Sequence, residues 1–204
     1  MDSSFSHYFS DNQELEHKPI SFTVMEGKRA LTFETDAGVF SRGNMDKGSC
    51  VLLDALKAYT LSGRLLDLGC GWGGIGITLL ARHPELCVVF CDVNSRAVEL
   101  TRANLLCNGM KADTYVSDGF SQVPGSFDWI ILNPPIRAGK EVVYRIIDEA
   151  RGRLVNTGTL AIVWRKQQGA ESAIRRLSEK FHNIERVSRD AGYWVITASS
   201  TIPL

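Results

Sequence analysis

The sequence predicts an α/β protein: a mostly parallel sheet with helices on both faces, ending in an antiparallel hairpin. Three observations predict it. From residue 64 onward, short continuous apolar runs alternate with helical stretches, the pattern of strands buried on both faces. A glycine-rich turn joins the first of those runs to the first helix of the series. The last two apolar segments are separated only by Asp190-Ala191-Gly192, far short of the dozen or more residues that a parallel crossover needs.

In chain order, the polar first 18 residues predict a loosely packed start. Ile20 to Val24 and Leu31 to Thr35 alternate apolar and polar around Glu26-Gly27-Lys28, which reads as a hairpin. A helix over about 47–59 follows, with Asp46 as its N-cap. The first 46 residues are expected to form an N-terminal extension carrying the hairpin, and residues 47–204 one compact domain. Core strands are expected at 64–68, 87–91, 113–116, 127–132 and 159–164. Helices are expected near 74–83, 95–107, 141–154 and 169–182, with Asn108-Gly109 as a stop for the second of them and His83 before Pro84 marking the end of the first. Strands at 183–187 and 193–198 make the terminal hairpin and bring the sheet to seven strands. Cys87 and Cys91, four apart on one strand, share a face and are expected to be buried thiols.

Composition narrows the function classes. The chain has 204 residues, 44% apolar and 23% charged, the proportions of one globular domain. Its longest apolar runs, Cys87 to Cys91 and Leu160 to Trp164, fall far short of the roughly 20 residues that span a bilayer. The opening residues are polar, with neither a basic start nor an apolar run, so no secretory signal is expected. Five cysteines without a CxxC pair argue against a disulfide framework and a thiolate zinc site, and four scattered histidines offer no metal spacing. No metal, no membrane association and a cytoplasmic location are expected, as a monomer or weak dimer. The 23 basic residues cancel the 23 acidic ones, so any polyanion would be met by one face. That face is the stretch from Arg165 to Arg189, which begins with Trp164-Arg165-Lys166 at a strand end.

The chemistry-bearing residues sit at strand ends. In Asp67-Leu68-Gly69-Cys70-Gly71-Trp72-Gly73-Gly74-Ile75-Gly76 the glycines permit a sharp turn and close backbone approach to a ligand, and the helix N-terminus behind them favours negative charge. The same run satisfies the dinucleotide pattern Gly71-x-Gly73-x-x-Gly76. Cys70 reads as a small tolerated side chain rather than a nucleophile. Asp92, followed by Val93, ends the second core strand, where a carboxylate accepts both ribose hydroxyls of an adenosine. Asp118-Gly119 ends the third, within reach of an adenine amino group. Asn133-Pro134-Pro135-Ile136 closes the fourth. Each proline holds its predecessor extended, so the Asn133 amide oxygen and the Pro134 carbonyl become two acceptors aimed at a planar amine. That pair suits methylation of a poorly nucleophilic exocyclic nitrogen, with orientation supplying about 7–11 kcal/mol when the attack geometry is good. Arg137 and Lys140, just beyond, would hold a phosphate.

On these motifs, over roughly residues 38–204, the chain resembles the class I S-adenosylmethionine-dependent methyltransferases, which are Rossmann-like and whose seven-stranded sheet also ends in a hairpin. The stretch Asn133 to Lys140, with Thr35 to Gly43 and Asp46-Lys47-Gly48, is similar to the branch of small-subunit ribosomal RNA guanine-N2 methyltransferases, whose longer members carry a second, similar N-terminal domain. The resemblance implies S-adenosylmethionine as cofactor and ribosomal RNA or the small ribosomal subunit as partner. It implies Asp67, Gly69, Cys70 and Gly71 around the methionine moiety, Asp92 and Val93 at the ribose, Asp118 and Gly119 at the adenine, and Asn133 and Pro134 as the catalytic pair. Phe40, Pro135, Ile136, Arg137 and Lys140 would meet the substrate. Ile136 stands where the family usually has an aromatic residue stacked on the base, and Phe40, Trp72 or Trp164 is the available replacement. The alternatives are a protein glutamine-amide methyltransferase, a nicotinamide-dependent oxidoreductase and a non-catalytic RNA-binding module.

Overall fold

The structure is a computed structural model describing residues 16–134 and 139–200. Two strands, β1 (Ile20–Glu26) and β2 (Arg29–Thr35), form the N-terminal hairpin around Gly27. After α1 (Lys47–Ala55) come β3 (Arg64–Leu68), α2 (Gly74–Arg82), β4 (Cys87–Asp92), α3 (Ser95–Cys107), β5 (Asp113–Val116) and β6 (Phe127–Leu132). The chain ends with α4 (Lys140–Arg153), β7 (Leu154–Arg165), α5 (Ala170–Ser178), β8 (Asn183–Asp190) and β9 (Tyr193–Ser199). The large sheet has the order β5-β4-β3-β6-β7-β9-β8, with β3 to β7 parallel and β9 antiparallel to both β7 and β8. This bears out the predicted fold class. The structure corrects some boundaries. α1 gives way to a 3-10 turn over Leu56–Ala58, α5 stops at Ser178, and β7 starts at Leu154, immediately after α4.

Burial explains the layering. The central strands are apolar on both faces, so each needs cover. Val51, Leu52, Ile77, Leu79, Ala97 and Leu100 of α1, α2 and α3 close one face over Leu65, Phe90 and Val163. Val143, Ile147, Ala173 and Leu177 of α4 and α5 close the other over Leu66, Ile130 and Ile162. Cys91 is buried as expected, but Cys87 is exposed because it is the first residue of β4, at the strand's open end.

The small hairpin is clamped to the sheet's helical layer by polar groups. Asn104 of α3 and Asn108, the residue that caps its C-terminus, stand in for a third strand. Their amides bond the Glu34 and Thr32 backbone N–H and C=O groups at 2.7 to 3.0 Å. The Arg82 guanidinium grips Glu26 through two nitrogens, at 2.7 and 2.9 Å.

Candidate active site

The glycine turn leaves β3 between the C-terminal ends of the parallel strands. Gly69, Gly71 and Gly73 have φ of 72°, 57° and 85°, a region that costs other residues about 1–2 kcal/mol. A Cβ at Gly69 or Gly71 would meet no atom within 4 Å, so the backbone there can be approached closely. Gly76 has a different reason: its Cβ would lie 2.3 Å from the Phe90 ring and 2.9 Å from Asp67 Oδ2. The Asp67 carboxylate, 2% exposed, accepts from the Gly76 amide at 2.8 Å. Burial pushes its carboxyl up to about 7, only partly offset by that amide bond.

Asp92 builds the turn from the neighbouring strand. Its Oδ2 accepts from Gly71 N and its Oδ1 from Asn94 N, both at 2.9 Å, and burial raises its carboxyl above the usual range. Each oxygen retains a lone pair for a further donor. Val93 beside it is exposed. Cys70 is buried and its thiol is pushed well up by desolvation, so it is no thiolate nucleophile. Ser117 shapes the next strand end, its hydroxyl bonding Gly119 O and Gln122 N at 2.9 and 3.0 Å. Asp118 is exposed and ion-paired with Arg145 of α4, at 2.6 Å. Sequence reasoning missed Arg145, because nothing local pairs a helix position with a strand end 27 residues earlier.

Asn133 and Pro134 follow β6 at the same sheet end. The Asn133 amide NH₂ donates to Asp46 Oδ1 and Oδ2, each at 3.2 Å, and to Ser49 Oγ at 3.0 Å. A flipped amide would set its oxygen against the Asp46 carboxylate, so chemistry fixes the orientation: Oδ1 is committed as an acceptor on the other side. Asp46 is the predicted N-cap of α1, accepting from Gly48 N and Ser49 N at 2.9 and 3.2 Å. Its grip on Asn133, shared with Ser49, was invisible in the sequence because the partners lie 87 residues apart.

The terminal hairpin reaches this corner. Lys47 bonds Asp190 at 2.7 Å, tying the first residue of α1 to the β8–β9 turn. An added Cβ at Gly48 would lie 3.0 Å from Asp46 Oδ1, 3.1 Å from the Tyr193 ring and 3.4 Å from Asn133 Oδ1. The Arg165 guanidinium sits 5.8 Å from the Tyr193 centroid, while Lys166, Arg186 and Arg189 lie 6.0, 4.6 and 5.7 Å from that of Trp194. Basic charge therefore gathers at this end of the sheet. Lys140 is exposed at the start of α4. Pro135, Ile136 and Arg137 lie outside the described residues.

Of the three aromatic residues expected to replace the missing stack, two are unsuitable. Trp164 is 1% exposed, and Trp72, 4% exposed, turns into the core against Phe22 and Phe33 and donates to Ser41 O. Both indoles were claimed by the core because a large apolar ring gains most from full burial. Phe40 is 59% exposed, on a loop held at Gly38 by Asn94 and at Ser41 by Trp72. Among the described residues no cluster of His, Cys, Asp and Glu could hold a metal ion, and no helix is long and apolar enough to cross a membrane.

The chain is similar to several known proteins. An uncharacterized Bacillus subtilis protein, YbxB, is 38% identical over 195 residues, covering 94% of this chain and 97% of its own. Ribosomal RNA small subunit methyltransferase C of Vibrio parahaemolyticus is 36% identical over 147 residues, 70% of this chain but only 42% of that protein. Among solved structures, a T. thermophilus 16S rRNA N2 methyltransferase in complex with AdoMet and guanosine superposes with a TM-score of 0.81 at 27% identity. It covers 90% of this chain and 51% of its own. The chain thus spans about half the length of the relatives named for an RNA activity. A family model, the methyltransferase small domain, matches residues 30–197, and the chain belongs to that family.

Proposed function

We propose that this methyltransferase transfers the methyl group of S-adenosylmethionine to an exocyclic amino nitrogen, guanine N2 of small-subunit ribosomal RNA. The observation that carries the reading is the locked Asn133 amide, whose NH₂ is consumed by Asp46 and Ser49 so that its oxygen is left as an acceptor. The residues fit the donor: Gly69 and Gly71 allow close backbone approach, Asp67 stands beneath the turn, and Asp92 offers lone pairs at the strand end. Asp118 is the adenine-side acceptor in this reading, its carboxylate shared with Arg145. Bound there, S-adenosylmethionine supplies an electrophilic methyl group on a sulfonium.

The chain's own residues do the rest. A guanine N2 lone pair is delocalised into the ring, so an unassisted amine attacks poorly. Asn133 Oδ1 and the Pro134 carbonyl accept its two N–H groups and turn the lone pair out of the ring plane. The same two dipoles, fixed before reaction, stabilise the positive charge that develops on nitrogen. No base has to act before attack, and the proton leaves to solvent once nitrogen is cationic. Arg165 and Lys166 at the end of β7 and Arg186 and Arg189 of β8, gathered around Tyr193 and Trp194, suit a phosphate backbone, which favours RNA over a protein amide as acceptor.

The test is transfer of labelled methyl groups to small ribosomal subunits, to their naked RNA and to their proteins, followed by nucleoside analysis. N2-methylguanosine in RNA is expected, and Asn133→Ala should lower the rate about 100-fold or more. Label confined to protein, or an Asn133→Ala variant of full activity, would remove the proposal.

A further inference from the structure

We infer that Tyr193, delivered by the terminal hairpin, is the aromatic platform on which the target base stacks, taking the part that Ile136 cannot play. This rests on the amino-methyltransfer reading above. Three groups converge on Gly48: the Asp46 carboxylate, the Tyr193 ring edge and the Asn133 amide oxygen, at 3.0, 3.1 and 3.4 Å from its virtual Cβ. The absence of a side chain there lets the ring and the committed acceptor stand side by side.

Sheet register explains how a residue 60 positions downstream arrives. Leu132 pairs with Ile162 across β6 and β7, and Arg165 pairs with Tyr193 across β7 and β9. Alternation along each strand puts Ile131, Val163, Val195 and Tyr193 on the face covered by α1. The Lys47–Asp190 ion pair pins the turn that carries Tyr193 to the start of α1. The ring is half-buried, its packed part anchored against the core on the α1 side. A base stacked about 3.5 Å from that ring has its exocyclic amine within hydrogen-bond reach of Asn133 Oδ1, about 2.9 Å. Arg165 lies over the ring, 5.8 Å from its centroid, and in this proposal the base takes that place while the guanidinium moves to the nucleotide's phosphate.

Phe40 is the competing platform, but the bonds that hold its loop run to Asn94 and Trp72, on the glycine-turn side. Trp194 faces the opposite core, against α4 and α5.

Tyr193→Phe, Tyr193→Leu and Phe40→Leu variants test the assignment with two readouts. The first is methyl transfer to small-subunit RNA, with S-adenosylhomocysteine affinity measured alongside. The second is quenching of 2-aminopurine riboside fluorescence in the presence of S-adenosylhomocysteine, which reports stacking without turnover. Tyr193→Phe should retain both. Tyr193→Leu, which keeps an apolar side chain but no ring, should lose about 5- to 150-fold in kcat/KM for RNA, from the 1–3 kcal/mol typical of a base–aromatic stack, lose the quenching, and bind S-adenosylhomocysteine as before. Quenching that survives in Tyr193→Leu, or disappears in Phe40→Leu instead, overturns the platform even when RNA is methylated. Quenching that depends on Tyr193 while RNA accepts no methyl group leaves the platform standing and refutes the RNA reading.

Discussion

Replacing Asp46 by asparagine separates two jobs that one side chain performs. In the native protein its carboxylate caps α1 through Gly48 N and Ser49 N and holds the Asn133 amide through both oxygens. Asparagine caps helices as well as aspartate, so with its oxygen left on the two backbone amides, stability should change by no more than about 0.5 kcal/mol. That is a shift within about 2 °C for a domain of this size. The new NH₂ group, however, replaces the oxygen that faces Ser49 Oγ and Asn133. Two amide NH₂ groups cannot donate to one another, so Asn133 gains by flipping, which turns its own N–H toward the site where an acceptor is needed. Holding the amide in its competent orientation then costs about 1.5–3 kcal/mol, the worth of the charge-assisted hydrogen bond that no longer favours it. At about 1.4 kcal/mol per factor of ten, kcat/KM for RNA should fall roughly 10- to 100-fold. The assay combines initial rates on small ribosomal subunits with thermal denaturation and S-adenosylhomocysteine calorimetry. Full activity in Asp46→Asn would refute the reasoning. So would a rate loss accompanied by equal losses of melting temperature and ligand affinity, since the cap rather than the amide would then be the cause.

Three further outcomes follow from the same geometry. Asp67 has a folded-state carboxyl raised to about 7 from an ordinary 3.8, so its contribution to stability is full below pH 4 and is lost as pH rises through about 7; burial raises Asp92 in the same direction. Denaturation midpoints should therefore decline over that window, less steeply in Asp67→Asn, and an identical slope in the variant would discount the assignment. Gly76→Ala forces a methyl to within 2.3 Å of the Phe90 ring and should cost about 1–3 kcal/mol, seen as a melting temperature several degrees lower; an unchanged melting temperature means that the ring yields freely. Asn104→Ala removes bonds to Glu34 N, Glu34 O and Trp72 O, each worth about 1 kcal/mol net, and should loosen the N-terminal hairpin enough to speed proteolysis within β1 and β2. Cleavage at the native rate would show that apolar packing alone holds the hairpin.

Local pattern was enough to determine the alternation of strands and helices, the glycine turn and the antiparallel end. Those features depend on near neighbours: apolar runs, φ angles that only glycine adopts easily, and a three-residue gap too short for a crossover. The placement of Asp67, Asp92, Asp118 and Asn133 at or next to strand ends was likewise legible, and a parallel sheet gathers its C-terminal strand ends at one rim. Tertiary structure decided which way their side chains face and who holds them. Asp46 and Ser49 orient Asn133 across 87 and 84 positions, and Asp118 meets Arg145 on a later helix. Tyr193 reaches the corner only through two strand registers, while Trp72 and Trp164, equally aromatic in the sequence, vanish into the core. Hydrogen bonds and stacking act over a few ångströms in space, and distance in space between residues so far apart along the chain is set by the fold, not by spacing in the sequence.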